Sequence, residues 1–255
     1  MKIAAYQAAV PAAGRLDVIS KIREQIERCE EQGVSVLCCP EAILGGLADS
    51  DPRPARFAIA DSSQLLALLE PLASRTVTAI VGFTELAPGG LLYNSAAVLH
   101  EGAIAGIYRK HHPAIRRSVY QAGSEAPVFR IGGLVFGIVI CNDSNFPEPA
   151  ANMASQAAKV LFVPSNNALP LARASVDLIA ASRDADRARA IGNRMWVVRA
   201  DVAGRTGGLV SYGSSGVVNP DGEIVASAPM LAEHLLIVDL GDSGYPENHA
   251  SPRGR

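Results

Sequence analysis

Aromatic residues make up only 5% of this 255-residue chain, cysteine occurs only four times, and neither sign of charge is in large excess. Each shortage removes a class of protein. A formal net charge of -2, with the charged residues spread rather than gathered in runs, leaves no basic footprint for nucleic acid. The partner to expect is a small molecule or another protein. No apolar run reaches the ~18 to 20 residues of a membrane-spanning helix. The amino-terminal "MKIAAYQAAVPAAG" is broken by Gln7 and Pro11 before a long apolar region develops, so it reads as a first strand. A soluble cytoplasmic protein with no membrane partner is the expectation. Nothing of linker composition interrupts the chain, so residues 1–255 read as one domain.

The four cysteines are Cys29, Cys38, Cys39 and Cys141. Cys38 and Cys39 end the apolar run "VSVLCC", where successive side chains face opposite sides of a strand, so the two cannot readily pair or share a metal. Core packing accounts for both. Of five histidines only His111 and His112 are close in sequence, and no zinc spacing is present. No disulfide, metal or cofactor is expected.

What the chain does have is 49% hydrophobic against 19% charged residues, the balance of a globular α/β protein with an ample core. "KIAAYQAAV" reads as a strand, and Leu16 to Gln32 as a helix with Val18, Ile22, Ile26 and Cys29 on one face and Gly33 at its end. "VSVLCC", a helix over 63–74 and "VTAIVGF" complete a βαβαβ unit. The hairpin "YNSAAVLH", "EG", "AIAGIY" then leads to Lys110. The same order returns as "LVFGIVI", a helix over 147–157, "VLFVP", a helix over 171–193 and "MWVVRAD". A second hairpin follows, turning through "NPDG". Two mixed sheets face to face with helices outside would bury such runs on both sides. A single doubly wound sheet ranks second, because the hairpins bring antiparallel strands into both halves.

In α/β sheets, sites gather where strands end and helices begin. "GIVICNDSNFPE" puts Cys141 at such a seam, with Asp143, Ser144 and Asn145 as caps and Pro147 suited to a first helical turn. Amides at that junction are expected to bind an oxyanion and to lower the thiol pKa. A cysteine nucleophile also needs proton-transfer partners. "VLCCPEAILGG" supplies Glu41 and "GIYRKHHP" supplies Lys110, each just past a strand. Taken singly, either is an ordinary solvated residue.

Together with "MKIAAYQ" and "GSSGVVNPDGEIV", these three motifs in this order resemble the nitrilase superfamily of carbon-nitrogen hydrolases along nearly the whole chain. The resemblance implies a four-layer αββα sandwich, a catalytic triad of Glu41, Lys110 and Cys141, and homodimers. In those roles Glu41 exchanges protons with the thiol and the departing amine, while Lys110 holds the charge on the tetrahedral oxygen. The backbone amide of Asn142 would be a second oxyanion donor, and His112 would orient the Lys110 loop. The Asn142-Asp143 pair after the cysteine, where nitrilases resemble one another in having Trp-Glu, favours an amidase or N-carbamoyl amino acid amidohydrolase. Nitrile hydrolysis and a non-catalytic binding protein on the same fold are the alternatives. The ammonia-channelling branch is disfavoured because the sequence shows no synthetase domain. The family also tends to carry a second glutamate near "AIRRSVYQAG", where this chain has Arg116, Arg117 and Ser118. Glu125, beyond the turn, reads as a surface residue. Gly192 stands where the family often has Glu. Two guanidinium forks in place of a carboxylate suit a substrate bearing its own carboxylate.

Overall fold

In the computed structural model, residues 1–241 are described except 13, 15, 52 and 115–117. The chain opens with β1 (Lys2–Ala9), α1 (Val18–Gln32) and β2 (Val34–Cys38), followed by α2 (Ser62–Leu69) and β3 (Thr78–Ala87). β4 (Leu91–His100) and β5 (Ala103–Arg109) form the first hairpin. β6 (Val128–Ile131), β7 (Leu134–Ile138), α3 (Pro147–Ser155) and β8 (Val160–Pro164) begin the second half. They are followed by β9 (Leu169–Pro170), α4 (Asp177–Asn193) and β10 (Trp196–Ala200). β11 (Val202–Thr206), β12 (Leu209–Ser211), β13 (Gly216–Val218), β14 (Ile224–Ser227) and β15 (His234–Asp239) complete the fold.

Two mixed sheets result. One has nine strands in the order β5-β4-β3-β2-β1-β11-β12-β9, with β15 also paired to β1; the other has six, in the order β14-β13-β10-β8-β7-β6. Alternation along the strands decides which core each residue joins. Ile3, Val36, Cys38 and Ile80 of the first sheet meet Phe136, Ile138, Phe162 and Val198 of the second. The other face of the first sheet, including Ala4, Leu37 and Cys39, packs on Ile22, Ile26 and Cys29 of α1 and Leu65 and Leu69 of α2. Met153 of α3 and Ala190 of α4 close the far side of the second sheet. The four layers are therefore α, β, β, α, as the resemblance implies. Adjacent Cys38 and Cys39 do face opposite ways, one into each core.

Local rules explain most boundaries, and tertiary contacts the exceptions. Gly33 ends α1 in the left-handed region at φ 68, where its N–H reaches the carbonyls of Cys29 and Glu30. The second helix is shorter than its Leu spacing suggests: Asp61 caps it, and Pro71 in a following 3₁₀ turn ends the regular ladder. The fourth starts at Asp177 rather than near 171, because Leu169 and Pro170 are drawn into pairing with β12. Strands β6, β9, β11, β12 and β15 are absent from the sequence reading. β15 is the most central of them, pairing antiparallel to β1 from Lys2↔Asp239 to Gln7↔His234.

Candidate active site

Strand ends from both sheets converge on one point. Glu41 follows β2 and Lys110 follows β5, both from the nine-stranded sheet, whereas Cys141 follows β7 of the six-stranded one. The Lys110 ammonium donates to Glu41 Oε1 at 2.5 Å, and both side chains are nearly sealed from solvent, at 3% and 2% exposed. The Asn94 side-chain amide donates to the same Oε1 at 2.7 Å. Two donors thus saturate one carboxylate oxygen and leave Oε2 with no hydrogen bond among the described residues. The Glu41 backbone N–H donates across to the Ser165 carbonyl at the end of β8, stitching the two sheets together at the site.

The Glu41 turn lies directly on β3. A Cβ added to Gly82 would stand 2.5 Å from the Ala42 nitrogen and 2.6 Å from the Pro40 oxygen, so only glycine admits the turn at this height. Ala42 takes a positive φ of 47 to complete it.

Cys141 also sits at positive φ, 46, which is strained for a residue with a side chain and recurs where the surroundings fix a functional group. Asp143 supplies much of that fixing. Its Oδ2 accepts from the Ile140 amide at 3.0 Å and the Tyr108 hydroxyl at 2.8 Å, and its Oδ1 accepts from the His112 amide at 2.7 Å. One carboxylate therefore ties the cysteine turn to the Lys110 loop. The His112 ring stacks on Phe146 at 3.7 Å between centroids. The Ser144 hydroxyl closes the turn on the Cys141 carbonyl at 2.8 Å, and the buried Arg199 donates to Ser144 and Ser165 while paired with Asp186.

Electrostatics at the sulfur run opposite to the sequence expectation. Burial pushes the Cys141 thiol up to about 12 and Glu41 adds to the rise, against smaller opposing pulls from Lys110 and Arg199. A pKa raised in this direction keeps the group a thiol at neutral pH. Burial alone would discharge Lys110, but the Glu41 carboxylate, Cys141 and Asp143 more than offset it and hold the ammonium above the usual lysine range. The cation is secure at any physiological pH.

Of the other predicted residues, Asn142 has a side chain that donates to the His112 carbonyl at 3.1 Å and accepts from Asn145 at 3.0 Å. Its backbone N–H donates to no described residue. Glu125 is exposed, with its carbonyl held by the His111 ring. Arg116 and Arg117 lie outside the described residues.

Sequence reasoning missed Asn167 and Asp201. The Cys141 thiol donates to Asn167 Oδ1 at 3.7 Å, a sulfur hydrogen bond. Behind it, the fully buried Asp201 accepts from the Asn167 backbone N–H and from its side-chain Nδ2, both at 3.0 Å. The rule that selected Glu41, a polar residue just past an apolar strand, would have flagged both: Asn167 follows "VLFVPSN" and Asp201 follows "MWVVRA".

A nitrilase from Pyrococcus abyssi is 28% identical over 226 residues, covering 87% of this chain and 82% of its own. A glutamine-dependent NAD(+) synthetase from Xylella fastidiosa is 31% identical over 94% of this chain, which spans only 44% of that relative. Among solved structures, a variant of the Nesterenkonia AN1 amidase from the nitrilase superfamily superposes with a TM-score of 0.78 at 24% identity, covering 96% of this chain and 92% of its own. The family model for carbon-nitrogen hydrolase matches residues 2–244, and the chain belongs to that family.

Proposed function

We propose that this chain is an amidase that cleaves a non-peptide carbon-nitrogen bond of a small molecule through a thioester on Cys141. The observation that carries the reading is the buried Lys110–Glu41 pair set beside a cysteine held at positive φ on a strand end. Glu41 Oε2, free of other bonds, accepts the thiol proton as Sγ attacks the carbonyl carbon. Lys110 and the Asn142 N–H stabilise the oxygen that gains charge. Collapse breaks the carbon-nitrogen bond, Glu41 returns its proton to the nitrogen, and ammonia leaves. Water, deprotonated by Glu41, then adds to the thioester and releases the acid and the thiol.

The proposal extends to a single-domain cytoplasmic homodimer acting on a substrate with a carboxylate, for which Arg116 and Arg117 are the candidate contacts. Glutamine is a second reading of the same chemistry, favoured by the 31% identity to a glutamine-dependent synthetase. A panel of primary amides including glutamine, N-carbamoyl amino acids and nitriles, assayed for ammonia, tests the activity. Mass spectrometry of quenched protein tests the thioester. Ammonia from an amide with an acyl adduct on Cys141 is the expected result; ammonia from nitriles alone, or none from any, would overturn the reading.

A further inference from the structure

Asn167 has a side chain whose orientation is decided by its neighbours. Its Nδ2 faces Asp201 Oδ2 at 3.0 Å and the Ser214 oxygen at 3.1 Å. Ser214 spends its own proton on Asp201 Oδ2 at 2.7 Å, so its oxygen is an acceptor toward Asn167. A flipped amide would set Asn167 Oδ1 against two acceptors. Oδ1 is therefore locked toward the sulfur, 3.7 Å from Sγ.

A fixed acceptor beside a nucleophile does nothing for the thiolate, since two lone-pair-bearing atoms face each other once the proton has gone. The moment Cys141 gives its proton to Glu41, Asn167 Oδ1 loses the donor it holds in the resting protein. A carbonyl oxygen cannot replace it, and Lys110 already donates to Glu41. The group that can is an N–H on the nitrogen of the scissile bond. Resting on the amidase reading, we infer that Asn167 is a specificity-determining residue whose Oδ1 accepts a hydrogen bond from the leaving nitrogen, selecting amides and carbamoyl groups over esters and nitriles. Asp201 acts through it as a positioning residue.

The test compares two substrates that share an acyl group and differ in the leaving atom, propionamide and methyl propionate, by kcat/KM on the wild-type protein, Asn167→Leu and Asp201→Asn. Loss of one neutral hydrogen bond in the transition state corresponds to about a 10-fold fall. Asn167→Leu is expected to lower propionamide turnover by that factor or more while methyl propionate changes less than about 3-fold. Asp201→Asn, which frees the amide to rotate, is expected to erode the same ratio with the ester again spared. A merely structural role would lower both substrates together. An amide-to-ester ratio unchanged in either variant overturns the inference and leaves the amidase reading standing. Wild-type protein that turns over neither substrate, with Cys141 no more reactive to iodoacetamide than the buried Cys29, overturns both.

Discussion

Gly82→Ala perturbs the site without touching any reacting group. The new Cβ would sit 2.5 Å from the Ala42 nitrogen, and an ordinary contact begins at 3.4 Å, so the turn over residues 40–42 must lift by ~0.9 Å. Backbone atoms bear the clash, so no side-chain rotation relieves it. Glu41 rides on that turn, and a displacement of ~1 Å at a reacting group lowers turnover by roughly 10²-fold. Overpacking of this kind costs about 1 to 3 kcal/mol of stability, or ~2 to 4 °C in Tm per kcal/mol for a chain of this size. The variant should therefore remain folded by circular dichroism, with a modestly lowered Tm, while steady-state ammonia release falls by two orders of magnitude. Turnover within about 3-fold of wild type would refute the claim that Gly82 sets the height of Glu41.

Cys141→Ala should abolish ammonia release with its Tm nearly unchanged, whereas Cys38→Ala, in the inter-sheet core, should lose a few kcal/mol at most and little activity, ~1 to 3 by the usual scale of core truncation. Glu41→Gln and Lys110→Met should each lower kcat by on the order of 10² or more, and the double variant by much less than the product; additive losses would mean that the two act separately. With its thiol raised to about 12, Cys141 should alkylate with iodoacetamide at a rate that climbs about tenfold per pH unit from pH 7 to 10 in the ligand-free protein. A plateau in that range, read by mass spectrometry, would mean a preformed thiolate.

Much of the site was legible because Glu41, Lys110 and Cys141 each stand just past an apolar strand, and strand ends are where this architecture collects function. The layering was legible from continuous apolar runs and intervening helical periods. The rest depends on contacts between distant residues. β15 pairs with β1 more than 200 positions away, a register that no local pattern carries. Arg199 looks like an interruption of an apolar strand until Asp186, 13 residues earlier on α4, is seen to neutralise it. The expected lowering of the Cys141 pKa failed for a similar reason: a strand end announces nearby amides, but not the desolvation and the Glu41 carboxylate that the fold brings to the half-buried cysteine.

Among the chain's several crossings between the sheets, one takes a single residue, Asp201, which lies between β10 of the six-stranded sheet and β11 of the nine-stranded one. With Glu41 and Lys110 mounted on one sheet and Cys141 on the other, the distance from carboxylate to sulfur is also a measure of how the two sheets slide past each other. The site works as a vernier for the sandwich. Variation in the outer core, between α1 and the first sheet, alters only how firmly a layer is attached. Variation in the inner core, where Val36 and Ile80 meet Ile138 and Phe162, moves one scale against the other. Drift in the sequence is thus constrained unequally across two apolar cores, and the inner one carries the tolerance of the site.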